Sequence, residues 1–126
     1  MSRRGDRERL ADMLDAIQRA TSYIADISYE DFLVDTKTQD ATVRALEVLG
    51  EDSKDISLDI KTRFPEVPWK QIAGQRDKLI HNYFGVNLDI VWETITLDLP
   101  VLRLQVISVG RNTMSHDRAL LEVIDV

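Results

Sequence analysis

Apolar side chains return at every third or fourth residue along most of this chain, and that spacing commits it to packed α-helices. Leu10, Met13, Leu14, Ile17, Thr21 and Ile24 share one stripe of a helix predicted over about residues 6–26. Ser28 predicts the cap of a short helix through Val34, with Asp31 in the place of a capping-box glutamate. A second long helix is predicted over about residues 36–62, with Val43, Leu46, Gly50, Ser53, Ser57 and Ile60 along one side. The middle three are small, so another helix can approach closely there, although glycine costs a helix about 1 kcal/mol relative to alanine. Pro65 and Pro68 mark a rigid loop, and Pro68 suits the first position of the next helix. That helix is predicted over Trp69–Phe84, and Gly85 is placed to stop it. A last helix starts near Asn87 and turns Leu88, Val91, Trp92, Ile95 and Leu99 inward, and Pro100 must kink it or begin a new one. Beyond Val106 the pattern reads as extended up to Gly110, with Ser115 as the cap of a short helix to Val123. Four substantial helices on short connections specify an all-α, antiparallel four-helix-type bundle with a short extra helix. At 126 residues the chain supplies one domain with one core.

Composition narrows the chemistry. A hydrophobic share of 44% beside 30% charged residues opposes disorder. The absence of cysteine excludes a disulfide scaffold and any thiolate zinc site. Two histidines with no cysteine near them give no metal-ligand spacing, and there is no glycine-rich phosphate loop, so no cofactor is expected. Ser53 and Ser57 have no helical histidine partner for nucleophilic catalysis. No signal-peptide pattern is present, which predicts a cytoplasmic protein. The least polar stretch, Leu97 to Val109, is interrupted by Asp98, Pro100, Arg103 and Gln105, so no membrane contact is expected.

The formal net charge of −6 disfavours nucleic acid when taken alone. Its distribution says more. Residues 22–60 carry three bases against ten acids, whereas residues 61–81 carry five bases against two acids. The acidity therefore lies mostly outside the basic island, which holds the most informative helix. On that helix Trp69, Ile72, Ala73, Leu79, Ile80, Tyr83 and Phe84 all lie within about 80° of the direction of Arg76. A guanidinium thus occupies the centre of an apolar stripe, where patterning expects leucine or isoleucine. Two uses fit it: a functional site, or a register-fixing ion pair with an inward acid such as Glu51. His81 lies about 140° from Arg76 on the same helix, beside Gly74 and Lys78. The two groups can share a site if a cleft wraps the helix end or if a second copy supplies one of them. Gly74 would let a partner backbone come close, which favours the dimer. The spacing Arg-x4-His occurs twice, as Arg76 to His81 and as Arg111 to His116. The second copy follows Gly110 without an apolar helical context, and only the first has tyrosine two residues on, at Tyr83.

The run from Pro68-Trp69 through Ile72-Ala73-Gly74, Arg76-Asp77, His81-Asn82-Tyr83 to Gly85-Val86, followed by Val91-Trp92, resembles the HepT-type toxins of the HEPN superfamily. Arg44 to Glu51 resembles the family's second conserved stretch, and Asp98-Leu99-Pro100 its usual ending. The resemblance covers about residues 6–106, so the domain is drawn over 1–106 and residues 107–126 become a C-terminal extension of uncertain structure. Asp52 departs from the small residue usual after Gly-Glu, and the tail from Ile107 matches nothing in the pattern. The resemblance implies a helical homodimer acting as a metal-independent endoribonuclease on RNA. Arg76 and His81 would be catalytic, with Asp77 and Lys78 as supporting or substrate-binding residues. The implied partner is an MNT-type nucleotidyltransferase antitoxin that silences the toxin by AMP transfer to Tyr83. A non-catalytic helical module that binds a nucleotide or the nucleotidyltransferase through Arg76 and Tyr83 is the competing reading.

Overall fold

The computed structural model describes residues 5–75 and 85–113, and every regular element among them is helical. Helix α1 spans Asp6–Ile24, α2 Tyr29–Leu33, α3 Thr36–Lys54, α4 Leu58–Arg63 and α5 Trp69–Ala73. The final helix opens as α6, Leu88–Glu93, passes through a π-helical turn at Thr94–Asp98, and continues as α7, Leu99–Thr113. No helix among the described residues is long and apolar enough to cross a membrane.

The amphipathic stripe of α1 buries Leu10, Met13, Leu14, Ile17 and Ile24 as expected, while Thr21 is exposed and Ala20 faces inward in its place. These side chains pack on Leu46 and Leu49 of α3 and on Val91, Ile95, Leu99, Leu102 and Val106 of the final helix. Each large aliphatic taken fully from water contributes about 2 kcal/mol, which makes this three-sided contact the main source of stability. Ser28 caps α2 through the backbone N–H of Asp31, at 3.1 Å. Phe32 of that short helix is fully buried and lies 5.4 Å from the Trp92 ring, centroid to centroid. Asp35 starts α3 by accepting from the Thr38 N–H at 3.0 Å. Trp92 therefore sits at the α2 end of the molecule, whereas the Gln105 amide donates to the Glu66 carbonyl at the other end. The final helix thus runs antiparallel to α1.

Three sequence expectations change. The helix predicted over 36–62 breaks after Lys54, because Ser57 is a cap and not a seam residue. Its Oγ accepts from the Ile60 N–H, and its own N–H and hydroxyl both donate to Asp6, at 2.8 and 2.6 Å. The helix predicted over Trp69–Phe84 closes at Ala73 with Gly74 as its C-cap, so the angular relation between Arg76 and Trp69, Ile72 and Ala73 does not follow from one straight helix. Pro100 takes one of its two expected places, as the second residue of the α-helix that begins at Leu99 after the π turn. The pyrrolidine ring cannot tolerate the carbonyl four residues back, and the π turn just before it widens the backbone, with the Leu99 N–H reaching the Thr94 carbonyl. Helix then continues through Thr113 with Val106 and Val109 fully buried, so 107–110 is not extended, and residue 106 lies inside a helix. The Ser115 cap falls outside the described residues.

Asp52 is turned inward and only 5% exposed, whereas Glu51 faces solvent. Arg9 of α1 donates to Asp52 at 3.0 Å and lies 3.3 Å from Asp55. The hydrogen bond to Asp52 raises the Arg9 pKa above its ordinary value against the opposing effect of burial, and Asp55 and Asp12 add to the rise. Together with Asp6 on Ser57, this pair latches the start of α1 to the end of α3. Asp52→Ala is expected to lower unfolding free energy by about 2 kcal/mol in chemical denaturation, because Arg9 loses its buried acceptor. Replacing both partners with apolar residues, Arg9→Met with Asp52→Leu, should cost less than Asp52→Ala alone.

Candidate functional site

The approach to the Arg76 segment begins with a close backbone contact. A Cβ on Gly50 would stand 3.1 Å from the Ile72 carbonyl oxygen, so α5 rests almost directly on the α3 backbone. Beside it the Ser53 hydroxyl donates to the Trp69 carbonyl at 3.2 Å, and Ser53 is fully buried. The small-residue seam predicted on α3 therefore serves the purpose expected of Gly50 and Ser53. Trp69 is buried and its indole N–H donates to the Phe64 carbonyl at 3.0 Å, which ties α5 to the Pro65–Pro68 loop. After the Gly74 cap, Gln75 reaches the final helix: its Nε2 donates to Thr94 Oγ1 at 3.0 Å.

On the far side the chain resumes at Gly85, whose φ of +84° is the left-handed value expected of a helix-stopping glycine. Asn87 then caps the final helix through the Ile90 N–H at 3.2 Å. Residues 76–84 span these two fixed ends. Arg76, Asp77, Lys78, His81 and Tyr83 all fall within that span and lie outside the described residues, as does His116 of the second Arg-x4-His match.

A groove of about 550 Å³ runs between α5 and the final helix, with Gln75 and Thr94 in its wall. Among the described residues its charged lining is Glu66, Glu93 and Asp98. Three carboxylates raise the electrostatic cost of placing a phosphate directly beside them. Leu97 and Val101 line it too and are about 60% exposed (66% and 58%), which gives it an apolar rim. A smaller cavity of about 300 Å³ between α1 and α3 holds Arg19 and Arg44, but Arg19 is taken by Asp15 at 2.8 Å. Of the described cations of the basic island, Arg63 and Lys70 are exposed on α4 and α5. Sequence reasoning missed Thr94 and Gln75. The available signal was a threonine between Val91 and Ile95 on an inward face.

The helical fold and the comparisons with known proteins together define the class. The chain belongs to the HepT-like family, described as Ribonuclease HepT-like, whose model matches residues 13–109. It is similar to a protein of Thermococcus cleftensis named "Probable ribonuclease HepT", 46% identical over 101 residues that make up 80% of this chain and 92% of the relative. It is also similar to a Methanocaldococcus jannaschii protein named a "Putative RNase", 40% identical over 79% of this chain and 83% of that one. A third, named a "Putative RNase" in Caldanaerobacter subterraneus subsp. tengcongensis, is 51% identical over 64% of this chain and 71% of the relative. No solved structure matches. The chain is thus a ribonuclease with an all-α fold of the HEPN type.

The contact under α5 gives a direct test. Gly50→Val should lower stability by about 2 kcal/mol, since a branched side chain must displace the α5 backbone. Gly50→Ala should lie near neutral, because a helix-propensity gain of about 1 kcal/mol offsets a carbonyl shift of a few tenths of an ångström. Thermal and urea unfolding of the two variants checks both signs.

Proposed function

We propose that this ribonuclease is the toxin of a toxin–antitoxin pair, a metal-independent endoribonuclease whose site joins Arg76 and His81 across a homodimer. The single observation that carries this reading is the Arg76-x4-His81-x-Tyr83 sequence, set between Gln75 and Gly85 inside the span matched by the ribonuclease family. Cleavage without a metal requires three things of side chains. A base removes the proton of the 2′-hydroxyl, and the oxygen so exposed attacks phosphorus. Negative charge then builds on the phosphoryl oxygens. An acid protonates the 5′-oxygen as its bond to phosphorus breaks, which leaves a 2′,3′-cyclic phosphate and a free 5′-hydroxyl. His81, with an ordinary pKa of about 6.5, suits both proton transfers near neutrality. Arg76 offers a planar fork to the charged oxygens. Two copies would provide two histidines, one for each proton, and Asp77 and Lys78 would support the guanidinium or bind RNA.

The partner in this reading is an MNT-type nucleotidyltransferase that adds AMP to Tyr83, two residues from His81, and so fills the cleft with bulk and negative charge. The working location is the cytoplasm, where RNA and partner meet, and the unit that carries the site includes the final helix through Thr113, since Ile107 and Val109 belong to its core. RNA contact is confined to the basic segment, since the groove beside it is acidic.

Purified chain should cleave RNA in the presence of EDTA, and His81→Ala and Arg76→Ala should each lower the rate by about 10²-fold or more while mass and melting temperature persist. Cleavage that survives both substitutions, or that stops on chelation, rejects the catalytic reading. Nucleotide or partner binding without cleavage, lost in Arg76→Ala, would instead establish the binding-module reading. A separate measurement addresses Tyr83: after co-expression with a neighbouring nucleotidyltransferase, intact mass should rise by whole AMP increments in the wild type and not in Tyr83→Phe. An unchanged wild-type mass with active nucleotidyltransferase removes Tyr83 from the proposal.

A further inference from the structure

We infer that Thr94 and Gln75 form a positioning pair for the ribonuclease site, fixing the start of the Arg76 segment to the π turn of the final helix. The inference rests on the reading of Arg76 as a catalytic group. Thr94 is 4% exposed and stands on the inward face between Val91 and Ile95, which are 0% and 2% exposed. Patterning calls for valine or isoleucine at such a place, and a buried hydroxyl is tolerated where it has a hydrogen-bond partner. That partner is the Gln75 amide, whose Nε2 donates to Thr94 Oγ1 at 3.0 Å. Gln75 is covalently joined to Arg76.

The surrounding backbone explains why a tie is needed at this point. α5 is held to α3 through Trp69 and Ile72, but it closes at Ala73, and Gly74 has no side chain to anchor. Gln75 is the last described residue before the motif, and it crosses from the α3 side of the groove to the final helix. The acceptor end is itself held in an unusual conformation. Thr94 opens the π turn, and its carbonyl receives the Leu99 N–H immediately before Pro100. π turns of this kind recur at functional sites, where they set a side chain in a place that a regular helix would not. A threonine fixed by packing on both sides is a rigid acceptor, and a guanidinium that must meet phosphoryl oxygens gains from a rigid approach.

The test uses the full chain and steady-state cleavage of one RNA, with kcat and KM determined separately. Thr94→Val and Gln75→Leu should each lower kcat by about tenfold with KM within about twofold, since a small displacement of a catalytic group acts on the chemical step. The double variant should be no slower than either single one, because both remove the same tie. Thr94→Ser, which keeps the hydroxyl, should stay within about twofold of wild type. In an Arg76→Lys background Thr94→Val should add little, because the group it positions is already altered. Unchanged kcat in Thr94→Val, equal loss in Thr94→Ser, multiplying effects in the double variant, or a kcat loss that follows a fall in melting temperature each overturns the inference. Arg76→Ala separates the two levels. Full activity in that variant rejects the catalytic reading and the positioning role with it, whereas loss there beside normal Thr94→Val rejects the positioning role alone.

Discussion

The backbone of α5 lies so close to α3 that even a methyl at position 50 requires the Ile72 carbonyl to yield by a few tenths of an ångström, and the approach to the motif segment depends on that contact. Close packing of this kind requires polar groups to find partners locally, because water is excluded. Ser53 answers by donating to the Trp69 carbonyl, and Trp69 answers by donating to Phe64. The result is a short helix held at its first residue and along one face. From there the chain has one turn in which to reach the final helix at Thr94. The ends of the motif segment are therefore set by packing of three helices and not by the segment's own sequence.

Charge is partitioned in a way that net charge conceals. A total of −6 counts against an RNA partner, yet residues 22–60 carry ten acids against three bases while residues 61–81 carry five bases against two acids. Part of the acidity is internal: Asp52 is spent on Arg9 and Asp6 on Ser57, so neither presents a free carboxylate to solvent. The groove beside α5 carries three carboxylates, which disfavours phosphate there. An RNA contact made through the basic segment, as proposed, is sensitive to salt.

Much of the fold was legible because helical burial writes itself into spacing. The α1 stripe, the Ser28 cap, and the small seam at Gly50 and Ser53 each follow from a local rule that the tertiary structure obeys. The misreadings share a cause. Ser57 looks like a seam residue until Asp6, some fifty residues away, is seen to bind it. Residues 107–110 look extended because valine and isoleucine favour strands, but burial of Val109 against the core overrides that preference.

The motif tyrosine, histidine and arginine were legible for a different reason. Their spacing, and an arginine among apolar residues, break the patterning rules that a merely structural helix would keep. The sequence by itself determined the helical class, the core stripes, the family and the segment proposed for the chemistry, since all of these depend on order along the chain. Only the tertiary structure decided that Asp52 answers Arg9, that α5 ends at Ala73, and that Gln75 reaches Thr94. Those pairs join residues far apart in sequence, and nothing in local spacing records which distant side chain will fill a buried hydrogen bond.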